Sequence, residues 1–239
     1  MYFPTSLDEC FEALPEVQAC KGIRQGPFHD KDVYLHSIDF VRWAKQFTDD
    51  RDIHAAGYLH DIGKDTTKKP LLTETGEPIY CNSDPKLPCY SFPGHEEVGA
   101  GMVLGMNKET FDQFGLNQLR ISFLVGAHYL PMKFIKLMRE QKTFATFENQ
   151  FDVLVSRLYY LEESTKLEGA GVSKRDIATM FKADKSAQGK ACTDRLELFT
   201  IMNLLLEDKS LEAGTTLWDV YAMQQDIYHS NPSILKPET

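Results

Sequence analysis

Along most of this chain, apolar residues recur at helical spacing rather than alternating as strands do. In "TFATFENQFDVLVSRLYYLEES", Phe147, Phe151, Leu154, Val155 and Leu158 fall on one broad face and predict a long helix. "DKDVYLHSIDFVRWAKQF" predicts an earlier one, with Asp30 as N-cap after Gly26-Pro27. "DDRDIHAAGYLHDIGK" predicts a second, ending near Gly63, and residues 95–106 and 117–128 predict a third and a fourth. "DRLELFTIMNLLLEDK" and "TLWDVYAMQQDIYH" predict late helices within residues 193–229. Two stretches break this rhythm. Residues 65–94 are rich in proline, and "LTETGEPIY" reads as a small hairpin around Thr75-Gly76. A loop this long inside a helical domain is usually functional or mobile. Residues 166–192, containing "FKADKSAQGK", are rich in Gly, Lys and Ala and read as helix-poor. With no repeat, low-complexity tract or evident linker, the expectation is an all-α chain forming a single helical domain over residues 1–239.

Composition narrows this picture modestly. Hydrophobic content of 42% and charged content of 26% are ordinary for a globular protein. No apolar run of about 18 residues appears, so no membrane partner is expected. "MYFPTSLDECFEALPE" lacks the basic and apolar regions of a secretion signal, and a cytoplasmic location is the expectation. The five cysteines are an odd, scattered set without a C-x-x-C pair, which argues for reduced thiols and against a thiolate zinc site. Cys81 and Cys89 share one loop and could bridge, yet free thiols are the simpler expectation. A net charge of −9 disfavours coating long duplex DNA, whose phosphates demand a positive field. It favours a small or terminal phosphate held locally.

The chemistry begins at "AAGYLHDIGKD", which sets His60 beside Asp61 within an apolar stretch. Burying that pair is costly unless something satisfies it. A second His-Asp dipeptide, His29-Asp30, has a capping explanation, so the dipeptide alone carries little. His36 lies in "VYLHSIDF", His95 follows Pro93-Gly94, and His128 closes "LVGAHYLP". Each taken singly reads as a hydrogen-bonded core histidine. His29, His54 and His229 have bland settings: a cap region, a polar helix face and a tail. Four histidines on helices able to converge, with Asp61 and the Asp184 of "KAD", match the imidazole and carboxylate ligands that divalent metals take without thiolates. Asp61 has two oxygens and could bridge two ions, should His95 and His128 serve the second. Lys182 and Lys185 flank Asp184 and are candidates for substrate phosphate. Lys133, Lys136, Lys68 and Lys69 read as solvated charge. Glu96 and Glu97 suit a helix start by their charge, with Glu96 an outside candidate for orienting water. Tyr80, Tyr90 or Phe92 could offer a base an aromatic contact, with packing the default for each.

The order His36, His60-Asp61, His95, His128, Asp184 resembles the HD-domain superfamily of metal-dependent phosphohydrolases. The segments "LHDIGK", "FPGHEEVGA" and "ADKSAQ" are similar to the HD domain of bacterial CCA-adding tRNA nucleotidyltransferases, with landmarks spanning roughly residues 30–190. The resemblance implies an HD-type helical bundle with His36, His60, Asp61 and Asp184 around one divalent metal. It implies His95 and His128 around a second ion in the two-metal branches. The metal is open among Mn, Fe, Mg, Ni, Co and Zn, and one or two ions are both compatible. Lys64 would sit beside the site and contact substrate phosphate. No Gly-Ser start followed by a paired-aspartate strand precedes these landmarks, so hydrolysis rather than nucleotide addition is implied. The expected activity is hydrolysis of a phosphate ester on a nucleotide or nucleic-acid end, with Asp61 orienting the water. Two other readings stand beside it: a di-iron oxygenase resembling inositol oxygenase, and a non-catalytic nucleotide-binding module. The complete landmark set counts against the last.

Overall fold

The amphipathic segments fold as helices in a computed structural model of the chain, which describes residues 6–25, 29–81, 84–188, 217–219 and 221–222. Two short helices, α1 (Leu7–Glu12) and α2 (Pro15–Gln18), precede α3 (Val33–Phe47). The N-cap of α3 is Asp32 and not the expected Asp30. Asp32 directly precedes the apolar run, and its carboxylate accepts from Leu35 N at 2.8 Å and Gly22 N at 2.9 Å. One side chain thus starts the helix and ties it to the turn after α2.

Helix α4 (Arg51–Leu59), capped by Asp50, stops earlier than expected. The chain turns through residues 60–63 and resumes as the single-turn α5 (Lys64–Thr67). Gly63 shows why the turn is tight. A Cβ there would lie 2.1 Å from His95 O and 2.8 Å from Gly99 N, so only glycine lets α6 (His95–Gly105) approach this closely. After α7 (Glu109–Asp112), α8 (Gln118–Ala127) packs on both α6 and α4. Helix α9 (Leu130–Arg139), with Pro131 in its first turn, was not anticipated. It packs on α10 (Phe144–Leu167), the long helix that the apolar face predicted.

Residues 166–192 require a correction. Helix α11 (Lys174–Ala187) occupies the middle of this piece, held at its start by a capping box of Ser173 and Asp176. Alanine and lysine have high helix propensity, so the segment needs no continuous apolar stripe to fold. Among the described residues of this piece the irregular part is the link before α11, where Gly169 and Gly171 take positive φ of 75° and 63°. Ile177, Ala178, Met180 and Phe181 of α11 are buried, and the helix packs on α3, which in turn packs on α4.

The described helices share one apolar cluster, in which Phe11, Phe40, Phe111, Phe147, Phe181, Ile53 and Leu59 are fully buried. Most of residues 193–229, expected to hold the late helices, lies outside the described residues. Residues 217–219 and 221–222 are helical, and Trp218 and Tyr221 pack their rings on Phe144.

The hairpin expected in residues 65–94 is present as part of an antiparallel flap. β1 (Lys69–Pro70) pairs with β4 (Tyr90–Ser91), and β2 (Tyr80–Cys81) pairs with β3 (Asp84–Pro88). The inner turn closes through Thr73 N to Glu77 O at 2.7 Å, with Gly76 at a φ of 84°. Cys10 and Cys20 are free thiols, but Cys89 is disulfide-bonded, which overturns the expectation of reduced thiols at that position. Folding the loop back on itself fixes Cys89, whose N–H donates to Ile79 O at 2.7 Å, and buries the residue. Among the described residues no helix is long and apolar enough to cross a membrane.

Candidate metal centre

Helix termini deliver the chemistry. His60 ends α4, His95 begins α6, and His128 ends α8. His36 stands in the first turn of α3 and Asp184 in the last turn of α11. All of them, with Asp61, are buried. Asp61 is central. Its Oδ2 lies 3.2 Å from His60 Nε2 and 3.9 Å from His36 Nε2. Its Oδ1 lies 3.4 Å from His95 Nε2 and 3.8 Å from His128 Nε2. Asp184 Oδ1 lies 2.8 Å from His36 Nε2 and 3.9 Å from His60 Nε2. The structure therefore brings all six sequence-derived ligand candidates to one centre.

Three of the imidazoles are aimed by the same local device. His60 Nδ1 donates to Gly57 O at 2.8 Å, His95 Nδ1 to Phe92 O at 2.8 Å, and His128 Nδ1 to Val125 O at 2.6 Å. A carbonyl only accepts, so Nδ1 must carry the hydrogen, and a neutral ring then presents the Nε2 lone pair to the centre. His95 Nδ1 also lies 3.1 Å from Glu96 Oε2, and the buried Glu96 carboxylate is ion-paired with Lys133. Carbonyl or carboxylate partners of this kind orient the histidines of metal centres.

The centre is left incomplete by its own residues. His60 Nε2, His95 Nε2 and Asp61 Oδ1 are buried with no hydrogen-bond partner among the described residues. Such groups are rare and call for something to satisfy them. His36, His60 and Asp184 form one buried group, and His60, Asp61 and His128 another, each offering ligand atoms within 4.8 Å of one another. Nitrogen and carboxylate acceptors facing inward without donors fit a divalent cation.

Electrostatics point the same way. Burial works to raise Asp61, but His60, Lys64 and His95 hold it well below the usual carboxylate range. Burial likewise opposes ionisation of Asp184, yet the His36 hydrogen bond and the Lys185 charge hold it low. Both carboxylates are anions at neutral pH. Desolvation pushes His128 down to about 3, with His60 and His95 adding to the effect, so that ring is neutral.

The lysines separate. Lys64 is buried, with Nζ 2.7 Å from Asp61 Oδ2, 2.7 Å from Gln25 Oε1 and 5.3 Å from the centre of the Phe92 ring. Lys185 is buried, with Nζ 4.0 Å from Asp184 Oδ2. Lys182 is not brought to the centre. Its Nζ lies 4.4 Å over the ring of Phe47, which α3 carries roughly 16 Å beyond His36. Lys133, read as a solvated charge, instead holds Glu96 and Glu97. His54 Nε2 donates to Thr48 O at 2.9 Å, and the residue is an ordinary core histidine. Tyr80 is exposed, and Tyr90 is half-buried on the flap.

Sequence reasoning missed two residues of this neighbourhood. Gln25 gives no signal, being a lone amide in a stretch without periodicity. His29 packs edge-on to His36 with ring centres 5.3 Å apart. Its pairing with Asp30 was read as a cap, and that explanation lapses once Asp32 is the cap.

Comparisons with known proteins agree with this geometry. Residues 33–151 match the HD domain family. Over 121 residues the chain is 29% identical to an A-adding tRNA nucleotidyltransferase of Deinococcus radiodurans, covering 50% of this chain and 25% of that protein. The chain thus spans about a quarter of that relative's length. No solved structure matches. Residues 33–151, with His36, His60, Asp61, His95 and His128 on α3, α6 and the turns that end α4 and α8, are an HD domain, the helical fold of a superfamily of metal-dependent phosphohydrolases.

Proposed function

We propose that this protein hydrolyses a phosphate ester on a nucleotide or a nucleic-acid end, using divalent metal, one or two ions, that would be held around Asp61. The observation that carries this reading is the divided allegiance of Asp61, whose Oδ2 faces His60 and His36 while its Oδ1 faces His95 and His128. His36, His60, Asp61 and Asp184 would hold one cation, and Asp61, His95 and His128 a second where two are bound. Bound there, such ions supply an acidic water and offset the charge that develops on phosphoryl oxygens.

The protein's own groups complete the work. Asp61, kept ionised by His60 and Lys64, orients the attacking water and accepts its hydrogen bond. Lys64 has three N–H donors, of which Asp61 and Gln25 take two. The third is placed to donate to a phosphoryl oxygen, with the ammonium held rigid by its two anchors. Lys185 adds positive charge beside Asp184. A net charge of −9 supports a small or terminal phosphate rather than a long duplex. Similarity to the A-adding tRNA nucleotidyltransferase of Deinococcus radiodurans supports a nucleotide or RNA terminus as the substrate class.

The test is elemental analysis of protein purified without chelator, joined to a phosphate-release screen over mono-, di-, tri- and cyclic nucleotides with and without O₂. The expected result is bound divalent metal and O₂-independent phosphate release, lost in His60→Ala. Protein that takes up no metal, or turnover that requires O₂ as a di-iron oxygenase would, overturns the reading.

A further inference from the structure

Each Nδ1 of His60, His95 and His128 is satisfied by the backbone carbonyl three residues earlier. His29, like His36, lacks such a partner at Nδ1. It lies just before α3, beside the isolated bridge that pairs Arg24 with Asp32. The residue is partly exposed, yet its Nδ1 is buried and has no hydrogen-bond partner among the described residues. The ring stands edge-on to His36 at 5.3 Å and within electrostatic reach of Lys64, Asp184 and Lys185. It belongs to neither group of candidate ligand atoms. His29 therefore stands beside His36 at the centre, partly open to solvent, with one buried nitrogen lacking a partner and the charges of Lys64, Asp184 and Lys185 acting on its ring.

We propose that His29 is a substrate-contacting residue whose Nδ1 hydrogen-bonds an oxygen of the phosphoryl group, an assignment that rests on the phosphohydrolase reading above. A polar nitrogen buried without a partner costs stability, and a ligand that completes it recovers that cost on binding. The neighbours select the ligand's chemistry. The charges of Lys64 and Lys185 both act on the ring, and cations there favour an anion with several acceptor oxygens. A phosphoryl group reaching from the centre toward solvent would pass this nitrogen. His29 then fixes the group's orientation without serving as a metal ligand.

Two amides separate the ring nitrogens, since asparagine places a polar atom near the position of Nδ1 and glutamine near that of Nε2. The experiment compares native protein with His29→Asn, His29→Gln and His29→Ala, all loaded with metal. It measures inorganic phosphate binding by calorimetry, KM and kcat on the best ester from the screen, metal content and melting temperature. The Ala and Gln variants should bind phosphate more weakly and raise KM by about tenfold to a hundredfold, the worth of one hydrogen bond to a charged group. Asn should stay within a few-fold of native, and metal content and melting temperature should hold in all three. Equal behaviour of native and Ala protein overturns the assignment while leaving the phosphohydrolase reading intact. So does uniform loss in all three variants accompanied by loss of metal, which would mark His29 as a prop for His36. If Ala fails to fold, the contrast between Asn and Gln still decides. Native protein that holds metal but neither binds phosphate nor cleaves any ester defeats both readings together.

Discussion

Two clusters of acids and bases lie inside this protein, and they are finished to different degrees. Around Arg120, the guanidinium reaches Asp50 Oδ2 at 2.7 Å, Asp52 Oδ2 at 3.0 Å and Asp176 Oδ2 at 3.1 Å. The same carboxylates have further donors: Asp52 N to Asp50 at 2.9 Å, Asn117 N to Asp52 at 3.0 Å, and Ser173 N to Asp176 at 2.9 Å. Arg120 thereby ties together the starts of α4, α8 and α11. Around Asp61, by contrast, three buried acceptors face one another without a donor. Similar residue types serve both places. A completed network is a fastener, whereas an incomplete one in a folded protein is waiting for a ligand. Charge and burial alone do not separate a site from a strut, but unmet hydrogen-bonding capacity does.

The largest effect should come from Asp61→Asn, which removes the charge that both halves of the centre share. Native protein should gain stability on adding divalent metal, by about 2.7 kcal/mol at a hundredfold excess over Kd. At about 2–4 °C per kcal/mol for a chain of this size, that is a rise of roughly 5–10 °C in melting temperature. Asp61→Asn should show no rise and no phosphate release. A variant that melts higher with metal, as native protein does, would break the comparison at its functional end.

Arg120→Leu tests the structural end. Removing the shared cation leaves three partly buried carboxylates without their partner, and breaking such a network costs about 3 kcal/mol. Denaturant unfolding should register that loss. Where the variant remains folded, the metal-induced rise should persist, because no ligand candidate touches Arg120. The two variants should therefore cross over: one loses metal response and the other loses baseline stability.

The contrast explains what the sequence disclosed. The convergence of the six candidate residues was legible because they follow a fixed order along the helices, and because histidine in an apolar stretch is unusual enough to notice. The Arg120 cluster was not legible. Asp50, Asp52 and Asp176 look like helix-start acids, which they also are, and nothing local announces that one arginine will gather all three. Helix α11 was missed because the apolar positions Ile177, Met180 and Phe181 are few among its alanines and lysines, though the capping box at Ser173 and Asp176 stood in plain view. Lys182 and Lys185 looked equivalent beside Asp184, yet one goes to Phe47 and the other stays at the centre. Side-chain direction on a helix is decided by packing against α3, which spacing alone does not supply. At His29 the local reading of a cap obscured the packing of its ring against His36.

The smallest expected effect separates the clusters by pH. Burial works against ionising Asp50, but Arg120 and the amides of Ile53 and Asp52 outweigh it and lower its pKa below the ordinary 3.8. A carboxylate whose folded pKa is depressed contributes stability that is fully present above its unfolded value and fades as pH falls through the folded one. Native metal-free protein should thus lose stability as pH drops below about 4, where protons begin to compete with Arg120 for Asp50. In Arg120→Leu the depression is gone, so the fall over the same interval should be shallower from a lower starting point. Denaturant midpoints at a series of acid pH values, taken without metal to keep the Asp61 centre from contributing a metal-linked slope, measure the difference. Equal slopes in the two proteins would mean that Arg120 holds the helix starts together by packing and geometry rather than by charge.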